Sequence, residues 1–267
     1  MRLELHPLVP DALLPVTATA RTRAEVPAGY GVQEQCLPFT AAAAAGLLIR
    51  APFAFGWCRP DAVPAGARAF PPPRRDARLD AQAVFYVVDR PESSFAGNAF
   101  RLAPIAYRDP QGDTHTYTAV QPGVSFFDRD DQADMFKLHL PFVVRTPAEV
   151  DSLFVPPVNR AAPLELVVGL VESDWYATPV SLVARVPRSG ALHVGAGDVV
   201  AQVLFLARAS RRAEPVVPGT TSVERQRLDG DLLRWYASHG ADRGAYKTLA
   251  RSRHGRLDAS ACPHARA

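Results

Sequence analysis

The sequence predicts a mainly β protein with antiparallel or jelly-roll-like connections, on three observations. The chain of 267 residues carries 25 prolines and 17 glycines, spread so that they divide it into short segments. The apolar runs between them are rich in β-branched and aromatic residues and have strand length. The intervals between runs leave no room for the dozen or so residues that a parallel crossover helix needs.

Taken in chain order, Thr40 before the alanines 41–45 and Gly46 predicts a short N-terminal helix, with Thr40 as N-cap and glycine as stop. The apolar run 47–57 predicts a strand. The Pro/Arg/Ala-rich stretch from Cys58 to Asp80 predicts a surface excursion, since it can neither continue a helix nor donate to a ladder. Strands are expected at 83–88, 100–107, 116–120 and 136–144. Four more follow at 164–170, 180–186, 191–194 and 199–207, punctuated by Pro179, Pro187 to Gly190 and Gly195 to Asp198. From Ser222 the spacing of Leu228, Leu232, Leu233, Trp235 and Tyr236, with Asp229 and Asp231 in the first turn, predicts a C-terminal helix. The expected organisation is one β-rich domain over 1–221 with its core at 135–208, a helical segment at 222–250, and a mobile tail at 251–267.

Hydrophobic residues make up 48% and charged residues 21%, a balance that builds a core without disulfide or metal staples. A net charge of +3 points to no nucleic-acid groove and no membrane surface. Lys137 and Lys247 are the only lysines among 30 basic residues, a bias of GC-rich bacterial genomes. Cys36, Cys58 and Cys262 show no CxxC spacing, which fits a reducing compartment. His6, Pro7, Pro10 and Asp11 interrupt any signal-peptide apolar region, and no run reaches the roughly 18 apolar residues of a membrane span. A soluble, cytoplasmic protein is expected.

The segment GLVESDW, 169–175, followed by HVGAGDVVAQVLFLARA, resembles the core of the dUTPase and dCTP deaminase superfamily. The matching positions are Gly169 to Trp175 and then Gly197, Asp198, Val199, Val200, Ala201 and Gln202. That resemblance implies a β-clip core and assembly as a homo-oligomer. A wider set, CLPFTAAAAAGLLIRAPFAFGW, FVVRTP, VPPVN, GLVESDW and the segment around Leu233 and Trp235, resembles a bacterial family known as domain of unknown function 6065. It supports Phe39, Arg145, Asn159, Glu172, Asp174 and Trp175 as positions of one fold. Departures from true dUTPases are equally specific: no AGxDL-type segment, no GRSS segment before Gly169, and no glycine-rich C-terminal arm. Glu172 stands where the superfamily carries its water-orienting aspartate, one methylene longer, and displacements of that order cost about 100-fold in rate. The strand 180–186 also lacks the glutamate used by dCTP deaminases. Neither dUTP hydrolysis nor that deamination is therefore expected.

Glu172 and Asp174 are two carboxylates on a turn beside Trp175, where an apolar neighbour favours general acid or base work. Turn formation alone also explains Ser173 and Asp174. Trp175 suits a wall for a flat ligand, while Arg145 and Asn159 suit an anion or an amide-bonding group. The expected partner is a small polar or nucleotide-like molecule, with Glu172 as acid/base and no cofactor type indicated. Two alternatives stand beside it: a non-catalytic binding or assembly protein, and a metal-dependent enzyme using His115 and His139 with Glu172. The acidic loop Asp128, Asp130, Asp131 and Asp134 lacks the glycine and closing glutamate of a calcium loop and reads as a solvated loop. No P-loop, Rossmann fingerprint or GxSxG elbow occurs.

Overall fold

The structure, a computed structural model, describes residues 2–19, 37–71, 82–90, 93–117, 119–176, 178–187, 190–212 and, beyond these, 223, 225–227, 229, 230 and 233. It is mainly β, and every strand pairing among the described residues is antiparallel. Contacts divide the chain into two compact units: Met1–Thr19 with Ala42–Arg208, and Ala20–Ala41 with Ala209–Ala267.

Three sheets organise the first unit. One runs in the order Gly169–Val171, Val150–Val155, Val199–Ala207, Leu47–Arg50 and Val16–Thr17. A second runs Leu192–Val194, Phe55–Cys58, Val84–Val88 and Ala67–Phe70. The third runs Val124–Phe126, Met135–His139, Ser181–Arg185 and Glu165–Leu166. Smaller pairings join Val120–Pro122, Ala99–Arg101 and Phe95–Ala96; Glu4–Pro7 with Phe142–Arg145; and Ile105–Arg108 with Thr114–Tyr117.

Proline accounts for three breaks in the expected strands; the expected strand 164–170 is also two, Glu165–Leu166 and Gly169–Val171 in different sheets, 116–120 is divided between Thr114–Tyr117 and Val120–Pro122, and Val150–Val155 is a strand outside those expected. The run 47–57 is two strands in two sheets, broken at Ala51 and Pro52, where Ala51 exchanges backbone hydrogen bonds with the turn at Gly197 and Asp198. Pro104 splits 100–107 and Pro141 splits 136–144, since proline cannot donate to a ladder. The expected excursion 58–80 contains the strand Ala67–Phe70, and residues 72–80 lie outside the described ones. The short helix spans Leu37–Ala43 and so begins three residues before Thr40, which is helical and not its N-cap. Pro38 fits the first turn, where its missing N–H has no partner to lose. Gly46 follows with φ +71°, and a Cβ there would overlap the carbonyl of Val203. In the second unit Val223, Arg225, Gln226, Arg227, Asp229, Gly230 and Leu233 are helical, with an Arg225–Asp229 ion pair one turn apart. The remainder of the expected C-terminal helix and the tail 251–267 lie outside the described residues.

The core is aromatic. Phe53 and Phe95 stack with ring centroids 3.9 Å apart, and Phe55, Phe85 and Phe136 pack edge and face around one another. Each fully buried phenylalanine contributes roughly 1.5–3 kcal/mol. Gly123 admits this stack: a Cβ there would lie 2.5 Å from Phe95 and 2.7 Å from Phe53. Its carbonyl accepts the amide of His139, which ties the core to the strand that carries that histidine. Gly123→Ala is therefore expected to cost about 1–3 kcal/mol through overpacking. A lowered urea midpoint with unchanged slope would bear this out, and an unchanged midpoint would not.

Candidate functional site

A cavity of about 420 Å³ opens beside the third sheet, within the usual range for small-molecule sites. Strand alternation supplies its floor. In Met135–His139, Phe136 and Leu138 point into the core, so Lys137 and His139 face the other way. In the neighbouring Ser181–Arg185 strand, Leu182 and Ala184 are buried, and Ser181 and Val183 face outward. The register pairs Lys137 with Val183 and His139 with Ser181, so two alternate rungs of one ladder, on the same face, line the floor. The wall comes from Leu170, Val171, Glu172, Trp175 and Tyr176, with Val180 at the sheet end.

The wall is held by its buried neighbours. Ser173 is buried, and its hydroxyl bonds those of Ser152 at 2.6 Å and Thr146 at 3.0 Å. Asp174 accepts from Arg208 at 2.6 Å and from the amide of Glu149 at 3.1 Å, and Arg208 also bonds the buried Asp151. The Arg208 hydrogen bond holds the Asp174 carboxyl below the ordinary aspartate range, and the same contact raises the arginine. The amide of Tyr176 bonds the carbonyl of Glu172 at 3.0 Å and closes the turn. Trp175, 63% exposed, is a rim residue and not part of the core. Its indole N–H donates to the Glu172 carboxylate at 2.6 Å.

On the floor, His139 lies between two hydroxyls, Ser125 at 2.8 Å from Nε2 and Ser181 at 2.8 Å from Nδ1. Burial lowers its pKa below the ordinary histidine value, and the charge of Lys137 adds in the same direction. A neutral imidazole has one donor and one acceptor, so one serine donates to the ring and the other accepts from it. The Lys137 ammonium sits 4.6 Å from the centroid of the Phe127 ring.

Of the residues singled out from sequence, Glu172 and Trp175 meet at the cavity. Asp174 is turned to Arg208 and is not among the lining residues. Arg145 lies opposite Glu4 on the Phe142–Arg145 strand, and Asn159 occupies a turn with φ +55°; neither lines the cavity. The histidines of the metal alternative have other partners: His115 bonds Asp109 at 2.7 Å and both nitrogens of His139 bond serines, and among the described residues no group of three or more His, Cys, Asp or Glu is arranged to hold a metal ion. In the acidic loop, Asp134 is buried against Arg185 at 2.7 Å, contrary to the expectation of a solvated loop, because it closes the Ser181–Arg185 edge. Cys58 is buried, and burial pushes its thiol pKa up. Cys36 and Cys262 lie outside the described residues.

Sequence reasoning did not select Lys137 or Ser181 for binding and took His139 only as a metal ligand. Their signal was alternation: polar residues at 137 and 139 between Phe136, Leu138 and Leu140 mark an outward face. No helix among the described residues is long and apolar enough to cross a membrane. No family model matches the chain, and no curated protein matches it at a significant level.

The half-buried His139 makes stability depend on pH. Its folded pKa lies below the unfolded value of about 6.5, so both states are neutral above that pH and the unfolded state takes up the proton more readily below it. The melting temperature is expected to fall as pH drops from 6.5 towards 5, before Asp174 begins to titrate. His139→Gln should flatten that segment of the profile, whereas parallel profiles would contradict the assignment.

Proposed function

We propose that the chain binds, and by acid/base chemistry transforms, a small polar or nucleotide-like molecule in this cavity. The observation that carries the reading is the Glu172 carboxylate, oriented by the Trp175 indole at the rim of a cavity floored by Lys137, His139 and Ser181. A carboxylate so oriented is preorganised to exchange a proton with a ligand, and Trp175 offers a flat apolar face beside it. Asp174 takes a positioning role, because its charge is already spent on Arg208. Arg145 and Asn159 take framework roles.

The finer fold reading belongs to the same proposal. The Gly169–Val171 strand leads into the turn that carries Glu172, and the Gly195–Asp198 turn, closed by the Asp198 carboxylate on the amide of Gly195, feeds the Val199–Ala207 strand. Both features are those on which the β-clip resemblance rests. Gln202, the last residue of the second motif, is fully buried and serves the scaffold: it accepts from the amide of Val158 and donates to the carbonyls of Ala42 and Ala45. Assembly as a homo-oligomer and a place in the cytoplasm follow from the resemblance and composition as parts of this proposal.

The test is a ligand screen followed by one substitution. Native mass spectrometry of the purified chain and a thermal-shift panel of nucleosides, nucleotides and amino-acid derivatives identify a binder by the stabilisation it confers. Glu172→Gln is expected to keep that binding within about 3-fold, while conversion falls about 10²–10⁴-fold, the usual contribution of a general acid or base. Conversion at the wild-type rate would remove Glu172 from the chemistry. Tight binding with no conversion by the wild type would leave a binding protein and not an enzyme.

A further inference from the structure

Charge is unevenly distributed across the cavity. Lys137 is on the floor, and among the described residues it makes no ion pair; its one contact of this kind is the face of Phe127. Arg185 and Arg208 are engaged differently: Arg185 is tied to Asp134 and Glu165, and Arg208 to Glu149, Asp151 and Asp174. A half-buried lysine whose ammonium lies on an aromatic face and makes no ion pair among the described residues can take an anionic group from the cavity it lines.

The groups beside it supply a second donor. The ring fits two tautomers; an anion in the cavity favours the one in which Ser125 donates to Nε2 and Nδ1–H donates to Ser181 Oγ, because that one leaves the Ser181 hydroxyl proton for the ligand. The floor then presents an ammonium and an O–H from alternate rungs, neighbours on one face of the ladder, which suits two oxygens of one anionic group. The Glu172 carboxylate, on the wall of the same cavity, is a hydrogen-bond acceptor and favours a donor on the ligand.

Resting on the reading of this cavity as the binding site, we propose that its ligand carries one anionic headgroup, a carboxylate or a phosphate ester, seated on Lys137 and Ser181. The flat or apolar part of the ligand lies against Trp175 and Leu170, and a hydroxyl or amine faces Glu172. His139 acts as a positioning residue that orients the Ser181 hydroxyl.

Four probes that share a phenyl ring separate the possibilities: benzoate, phenyl phosphate, benzamide and benzylamine, titrated into the ¹⁵N-labelled full chain. Benzoate or phenyl phosphate is expected to shift the Trp175 indole and Ser181 amide resonances at least 10-fold more tightly than benzamide, and whichever binds better identifies the headgroup. Lys137→Met should weaken that anion at least 10-fold and Ser181→Ala severalfold, while Lys137→Arg retains most of the affinity. Added salt should weaken the anion and leave benzamide unchanged. Benzamide or benzylamine binding as tightly as the anions would overturn this inference and leave the cavity as the site. Four probes that all fail to bind at millimolar concentration would overturn both. Should Lys137→Met fail to fold, Lys137→Gln under the same titration decides the point.

Discussion

The candidate site depends on how one five-residue turn is pinned from beneath. Ser173 and Asp174 are its inward residues, one bonded to the hydroxyls of Ser152 and Thr146, the other to Arg208. Because these two point away from the cavity, Glu172 and Trp175 on either side are left facing it. A hydroxyl cluster that buries its donors and acceptors together has little freedom to rearrange, since any broken member leaves an unpaired polar group in the interior. The ion pair of Asp174 with Arg208 adds a link to Asp151, on the strand that pairs with both Gly169–Val171 and Val199–Ala207. The turn therefore inherits the rigidity of the sheet behind it.

The opposite side of the cavity has a different origin. The ladder between Met135–His139 and Ser181–Arg185 buries alternate residues in the aromatic core, so the outward set is determined by the same packing that stabilises the sheet. A slip of one residue would carry Lys137 and His139 into the core and expel Phe136 and Leu138. The floor is thus protected by hydrophobic burial and the wall by buried polar bonds. Each is sensitive to a different perturbation, overpacking in the first case and loss of a hydrogen-bond partner in the second.

Much of the architecture is legible in the sequence. Dense proline and short β-branched runs pointed to antiparallel strands, and the 199–207 strand has the expected limits. What hydrophobicity could not convey was where the chain passes from one sheet to another: the runs across Pro52, Pro104 and Pro141 read as single strands because apolar residues continue on both sides of each proline. The helix at Leu37 begins before the alanine run because proline serves the first turn better than it serves Thr40 as a cap. At the site, a turn with an acid and a tryptophan was visible as a motif, and that is where the cavity has its wall. Lys137, His139 and Ser181 converge through the pairing of two strands some forty residues apart, which no single segment expresses. Arg145 and Asn159 share the neighbourhood in sequence pattern but not the cavity.

The central claim is that the Arg208–Asp174 anchor holds the Trp175 indole on the Glu172 carboxylate at the cavity rim. The indole N–H resonance of Trp175 in the ¹⁵N-labelled protein reads this directly. In the wild type it should stand apart from the position of a solvent-exposed indole and exchange slowly, and it should move to that position both in Glu172→Gln and in Arg208→Met, although the latter changes nothing that touches the indole. A Trp175 resonance that stays where it is when Arg208 is replaced would contradict the account.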